Sequence, residues 1–188
     1  MWGSVHQQFF TEAAKSTVWE QIHLNFYTTY NYNKWHGSLH PCPLCRKIPE
    51  DVFHVIVDCR FTVSMWGRIE SVITKIVPVP PRAHERAFGL QPRTRREEDA
   101  TILRNWVTFS LRHMIMEEER RAYYLPGYSS LRLDAFAKRF NFRMRRELMV
   151  KRHQYGFRGL QEKFDRIATF GGAVGTKVDD EYIWNDII

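Results

Sequence analysis

The chain has 188 residues, 44% of them hydrophobic and 14% aromatic, with a net charge of +7 and a pI near 9.5. That much apolar material excludes a disordered chain, and no apolar run approaches the ~20 residues a membrane span needs. The basic balance favours an acidic partner, most often nucleic acid.

Met1-Trp2-Gly3-Ser4 is not a basic segment running into an apolar one, so no secretory leader is predicted. Ser4 with Gln7 and Thr17 with Glu20 have capping-box spacing ahead of apolar residues. They predict two short helices, or one helix broken near Ser16. Residues 26–35 are crowded with aromatic and polar side chains. They suit either a base-stacking surface or rings packing the next module onto the first helices. Packing is favoured, because so small a module has little core of its own.

All three cysteines follow, in Cys42-Pro43-Leu44-Cys45, His54 and Cys59, a C-x2-C-x8-H-x4-C pattern. Two thiolates two residues apart bend the backbone into a knuckle. Pro43 presets φ for that turn. Residues 50–59 read as a short helix started by acidic residues, with His54 and Cys59 about a turn and a half apart. Three sulfurs and one imidazole make a closed tetrahedral shell for one structural Zn2+. A redox pair at Cys42 and Cys45 would normally open a helix after a strand, and nothing here has that arrangement. His36 and His40 are the spare ligands just upstream. With every ligand supplied by the chain, the metal reads as a staple rather than a catalyst. Thiolate ligands imply a reducing compartment: intracellular, nuclear or ribonucleoprotein-associated, and not secreted.

Beyond Cys59, Val63, Trp66, Ile69, Val72, Ile73 and Ile76 mark one helix face. Pro78-Val79-Pro80-Pro81 ends it and begins a stiff connector. Residues 89–96 are a polar loop with Arg93, Arg95 and Arg96. Glu97-Glu98-Asp99 starts a long helix. Its buried stripe is Ile102, Leu103, Trp106, Val107, Ser110 and Met114, widened by Phe109, His113 and Met116. His113 there reads as a hydrogen-bonded core histidine. Glu117, Glu118 and Glu119 before Arg120 and Arg121 suit a solvated helix end. After the turn at Pro126-Gly127, residues 131–158 hold nine basic residues against Asp134 and Glu147, an excess equal to the net charge of the whole chain. Leu133, Phe136, Ala137, Phe140, Met144 and Leu148 give that helix one buried face. A face of one sign points to phosphate contact. The candidate nucleic-acid contacts are Arg132, Lys138, Arg139, Arg143, Arg145, Arg146, Lys151 and Arg152, with Arg46 and Lys47 beside the knuckle. A last helix, with Leu160, Phe164, Ile167 and Ala168 inward, ends at Gly171-Gly172. The tail is acidic yet carries Tyr182, Ile183, Trp184, Ile187 and Ile188, so it docks on the body or on a protein partner.

The expected fold is mainly α: a small zinc-stapled module (1–77), a Pro/Arg-rich connector (78–96), a helical domain of three to four helices with the basic helix (97–170), and an acidic apolar tail (171–188). Residues 17–77 resemble the zinc-knuckle region at the C-terminal end of non-LTR (LINE-type) retrotransposon reverse transcriptases. Trp19, Ile22-His23, Trp35, the four ligands, Glu50 four residues before His54, and Trp66 seven residues past Cys59 carry the likeness. Two positions depart from it. Arg46-Lys47 stand where such sequences often have a glycine, and Asp51 where they often have a threonine. No paired-aspartate polymerase motif or endonuclease constellation is visible, so no catalytic residues are assigned. The resemblance implies a domain that holds RNA or target DNA beside a polymerase. The alternative is a domesticated structural subunit of a ribonucleoprotein, contacting RNA and protein with the same parts.

Overall fold

A computed structural model describes residues 11–23, 28, 34, 35, 37, 41–47, 51–78, 82–90, 94, 97–129, 132–154, 158–178 and 181–186. The Ser4–Gln7 box, most of the aromatic stretch, and His36 and His40 lie outside them. In chain order come α1 (Glu12–Ile22), a π-helical turn (His54–Asp58), α2 (Arg60–Ile76), α3 (Ala83–Phe88), α4 (Glu98–Tyr124), α5 (Leu133–Gln154), α6 (Arg158–Ala168), a 3-10 turn (Phe170–Gly172), β1 (Gly175–Val178) and β2 (Glu181–Trp184). The mainly helical expectation holds. No described helix is long and apolar enough to cross a membrane.

α4 is the axis. α1, α2, α6 and the π turn all pack against it. Every residue from 100 to 116 is buried, so the stripe expected from periodicity is instead a helix covered on all sides. Three of its buried polar side chains are met from neighbouring segments, although Arg112 Nε and the Ser110 hydroxyl have no hydrogen-bond partner among the described residues. Arg104 pairs with Glu85 at 3.2 Å. The Asn105 amide oxygen accepts from the Leu90 N–H and its Nδ2 donates to the Leu90 carbonyl, both at 2.7 Å. Arg112 donates to the Ala87 carbonyl and lies 5.4 Å from the centre of the Phe109 ring. Gly89 has φ +72, and a Cβ there would sit 2.7 Å from Phe109 Cζ. Residues 82–90, inside the stretch read as a connector, are thus clamped onto α4. The solvated end expected at 117–119 is also overturned. Glu118 and Glu119 are each 1% exposed, and the Tyr128 hydroxyl donates to Glu118 at 2.7 Å.

Other elements differ in detail. α1 is unbroken: the Thr17 hydroxyl, expected to cap a second helix, donates to the Ala13 carbonyl one turn back at 3.0 Å. On α2, Val63 is 48% exposed, while Thr62 and Met65 turn inward. α5 buries Phe136, Ala137, Phe140, Met144 and Leu148 as its spacing predicts. α6 sends Phe164, Ile167 and Ala168 inward. Its Arg166 and Lys163 pair with Asp99 and Glu98 in the first turn of α4. Gly171 (φ +58) and Gly172 (φ +66) turn the chain out of α6.

The tail forms an antiparallel hairpin, Gly175 opposite Trp184 through Val178 opposite Glu181. No strand was expected there. Its described residues dock on the body. Ala173 and Val174 are buried, the Asn185 N–H donates to the Val174 carbonyl at 3.1 Å, Lys177 pairs with Asp165 at 3.2 Å, and Asp186 pairs with Arg145. One apolar cluster contains Val18, Val55, Trp66, Trp106, Phe140, Phe164 and Val174.

Candidate metal centre and basic face

The knuckle and the π turn bring Cys42, Cys45, His54 and Cys59 together, with ligand atoms all within 4.8 Å of one another. Cys42 Sγ lies 3.9 Å from Cys59 Sγ, and Cys45 Sγ 3.4 Å from His54 Nε2. None of the three cysteines is in a disulfide. Zinc bonds of ~2.3 Å to sulfur and ~2.0 Å to nitrogen give a tetrahedron with edges of roughly 3.5–3.8 Å. The Cys42–Cys59 and Cys45–His54 separations lie close to two of those edges, and three sulfurs with one imidazole are a zinc donor set. These four residues form the structural zinc site.

Local backbone chemistry builds it. In the knuckle, the Arg46 N–H donates to the Cys42 carbonyl at 2.7 Å and the Cys42 N–H to the Lys47 carbonyl at 2.9 Å. Closing that turn puts Arg46 in the left-handed region, φ +57, the conformation glycine adopts most cheaply. The Asp51 carboxylate caps the next segment by accepting from the His54 N–H at 2.7 Å. The chain then departs from the expected α-helix. In an α-helix, residues five apart point about 140° away from each other. Here the Cys59 N–H donates to the His54 carbonyl at 2.6 Å, a π turn that stacks Cys59 over His54. Two side chains of α2 hold this turn. The Thr62 hydroxyl donates to the Val55 carbonyl at 2.6 Å, and Trp66 Nε1 to the Ile56 carbonyl at 2.8 Å. Cys59 also begins α2. Its thiol is drawn down to about 5, first by the Cys42 thiol, then, against burial, by the Thr62 and Phe61 N–H groups. A helix N-terminus thus favours the ligating thiolate. From sequence, Asp51 reads only as part of the acidic start of the helix expected over 50–59, not as the cap of His54, and Thr62 is not singled out. An Asp three residues before His54 is N-cap spacing, and that signal was available.

The basic residues divide in two. Arg139 lies 3.9 Å from Glu118. Arg143 bridges Glu117 at 2.8 Å and Glu147 at 3.0 Å, and Arg145 pairs with Asp186. Arg139 and Arg143 spend their charge on acids of α4 and α5, and Arg145 on the exposed Asp186 of the tail. Arg46, Lys47, Arg132, Lys138 and Arg146 are exposed, while Lys151 and Arg152 are half-buried. Burial, then the nearby Lys15, lowers the Lys151 pKa. The exposed side of α5 has a single acid, Asp134, which pairs with Arg68 at 2.7 Å. Leu44, Cys45, Arg60, Phe61 and Leu133 line a depression between the knuckle and the start of α5.

His113 is buried, with Nδ1 2.6 Å from the Thr17 hydroxyl and Nε2 3.7 Å from Glu117. The Thr17 hydroxyl also bonds the Ala13 carbonyl one turn back, so it is shared between backbone and imidazole. Burial, helped by Arg143 and Arg120 against Glu117, pulls His113 down to about 4, so the ring is neutral near pH 7. It is a core histidine, and the structure adds the threonine and glutamate that periodicity did not connect to it.

Comparison with curated proteins and with solved structures finds no match. Residues 1–66 match the family model described as zinc-binding in reverse transcriptase. All four ligands fall within the match, so this N-terminal part of the chain is similar to the zinc-binding region of reverse transcriptases and carries its ligand set.

Proposed function

We propose that the chain binds nucleic acid through the exposed face of α5, with the zinc module as its anchor, and that it acts by binding rather than catalysis. The observation that carries this is the sorting of charge on one helix. Glu117, Glu118 and Glu147 engage the inner arginines, leaving Lys138 and Arg146 on an outer face whose one acid is already paired. Such a face repels itself in water and gains from a polyanion. Arg68, bonded to Asp134, and Arg60, beside Leu133, extend it toward the zinc module. The reverse-transcriptase resemblance supports RNA or target DNA as the polyanion, and a cysteine-rich zinc donor set supports an intracellular setting.

The test is the zinc-loaded chain titrated onto labelled mixed-sequence RNA and DNA across a salt series. The log of affinity is expected to fall linearly with the log of salt concentration. Lys138→Glu with Arg146→Glu is expected to abolish most binding while zinc content and helicity stay unchanged. Salt-independent binding, or full affinity in that double variant, would refute the reading.

A further inference from the structure

Phe142 lies mid-helix on α5 with 68% of its surface exposed. A phenylalanine left in water forgoes roughly 1.5–3 kcal/mol of burial, so the fold gives no reason for it. Its neighbours give one. Lys138 stands four residues before it and Arg146 four after, so all three share one strip of the helix, about 6 Å apart along the axis. Beside them a groove of about 570 Å³ runs between α5 and the start of α1, walled by Phe142, Val150, Arg139, Arg143, Arg146 and Lys151. The acids in its wall already have cations: Glu12 pairs with Lys15, and Glu117 and Glu147 with Arg143.

We infer that this strip takes single-stranded nucleic acid, with an unpaired base stacked on Phe142 and the flanking phosphates on Lys138 and Arg146. The inference rests on the nucleic-acid reading of α5 and narrows it. A polyanion is indicated by the cations on both sides of the ring. An unpaired strand is indicated by the ring itself, since a duplex keeps its base faces inside its own stack and leaves none for phenylalanine. An acidic protein segment would use the cations and any apolar side chain, but would not need a π face.

The experiment uses the full zinc-loaded chain, a labelled 15-nucleotide single strand without self-pairing, and the matching duplex. Phe142→Ala should weaken single-strand binding roughly 5- to 150-fold, since stacking is worth about 1–3 kcal/mol per base. The salt slope should not change. Phe142→Leu, which keeps apolar area without the ring, should lose nearly as much. Phe142→Trp should retain affinity, with added fluorescence that the single strand quenches and the duplex does not. Lys138→Ala with Arg146→Ala should instead flatten the salt slope by about 1.4, two phosphate contacts on a single strand. Full affinity in the Ala or Leu variant, or equal losses on both nucleic acids, would overturn the stacking inference while steep salt dependence still upheld the α5 face. Absence of binding to either nucleic acid, or preference for polyglutamate over both, would overturn the α5 reading itself.

Discussion

Arg46 carries the clearest residue-level cost in the zinc module. Its φ of +57 is a glycine conformation, and glycine is what sequences with this knuckle often have at the position. The resemblance marked the departure, and the backbone explains it. Arg46→Gly is expected to raise stability by about 0.5–1 kcal/mol, relief of the left-handed strain being partly offset by the freer unfolded chain. Urea unfolding at constant zinc content measures this. A loss of stability would mean that the guanidinium itself supports the knuckle. His113 gives a second test at this scale. Its pKa is held near 4 in the fold by burial, against about 6.5 when unfolded. The unfolded chain therefore binds the extra proton between those values, and stability falls as pH drops from about 6.5 toward 4. His113→Gln should be less stable at pH 7 and lose less on acidification to pH 5 than the parent. Parallel pH profiles would contradict the buried neutral ring. The zinc ligands were fully legible because four side chains at fixed spacing suffice to specify them. The left-handed backbone at Arg46 was not, since an arginine gives no sign of positive φ.

Among the elements, the π turn joins metal and core. His54 and Cys59 meet because the turn closes five residues apart, and Trp66 secures it from the next helix through the Ile56 carbonyl. Trp66→Phe keeps a buried ring but leaves that carbonyl without its donor, at an expected cost of about 1–3 kcal/mol. Zinc should also pass to a chelator faster. Unchanged stability together with unchanged transfer would show that the turn holds itself. In sequence, 50–59 has an ordinary helix signature, because a π turn differs from an α turn only by one residue accommodated under tertiary constraint. α5 was the opposite case. Its buried face could be read from spacing because one flank packs and the other does not. α4 escaped that reading because neighbours cover it all round, with Arg104, Asn105 and Arg112 each bonded to a group among residues 85–90.

For the whole molecule, the shared apolar cluster sets the expectation. Val55 and Trp66 beside the zinc, Trp106 on α4, Phe164 on α6 and Val174 before the hairpin are all part of it. The zinc module should therefore unfold together with the long helices. Cys59→Ser, or zinc removal by a chelator, is expected to lower the single denaturation midpoint of the chain, because structural zinc contributes on the order of 10–16 kcal/mol in small modules. Coincident transitions by far-UV circular dichroism and tryptophan fluorescence would confirm the coupling. Two separated transitions, with the second indifferent to metal, would divide the chain at the proline-rich stretch instead.

By itself the sequence determined the ligand set, the helical class and the basic character of α5. Each depends on residue type at short spacing along one segment, which chain order preserves. Only the tertiary structure decided which cations remain outside. Arg143 faces Glu117, Arg139 faces Glu118 and Arg145 faces Asp186 across separate elements, and such pairings follow from how helices pack rather than from the order of their residues.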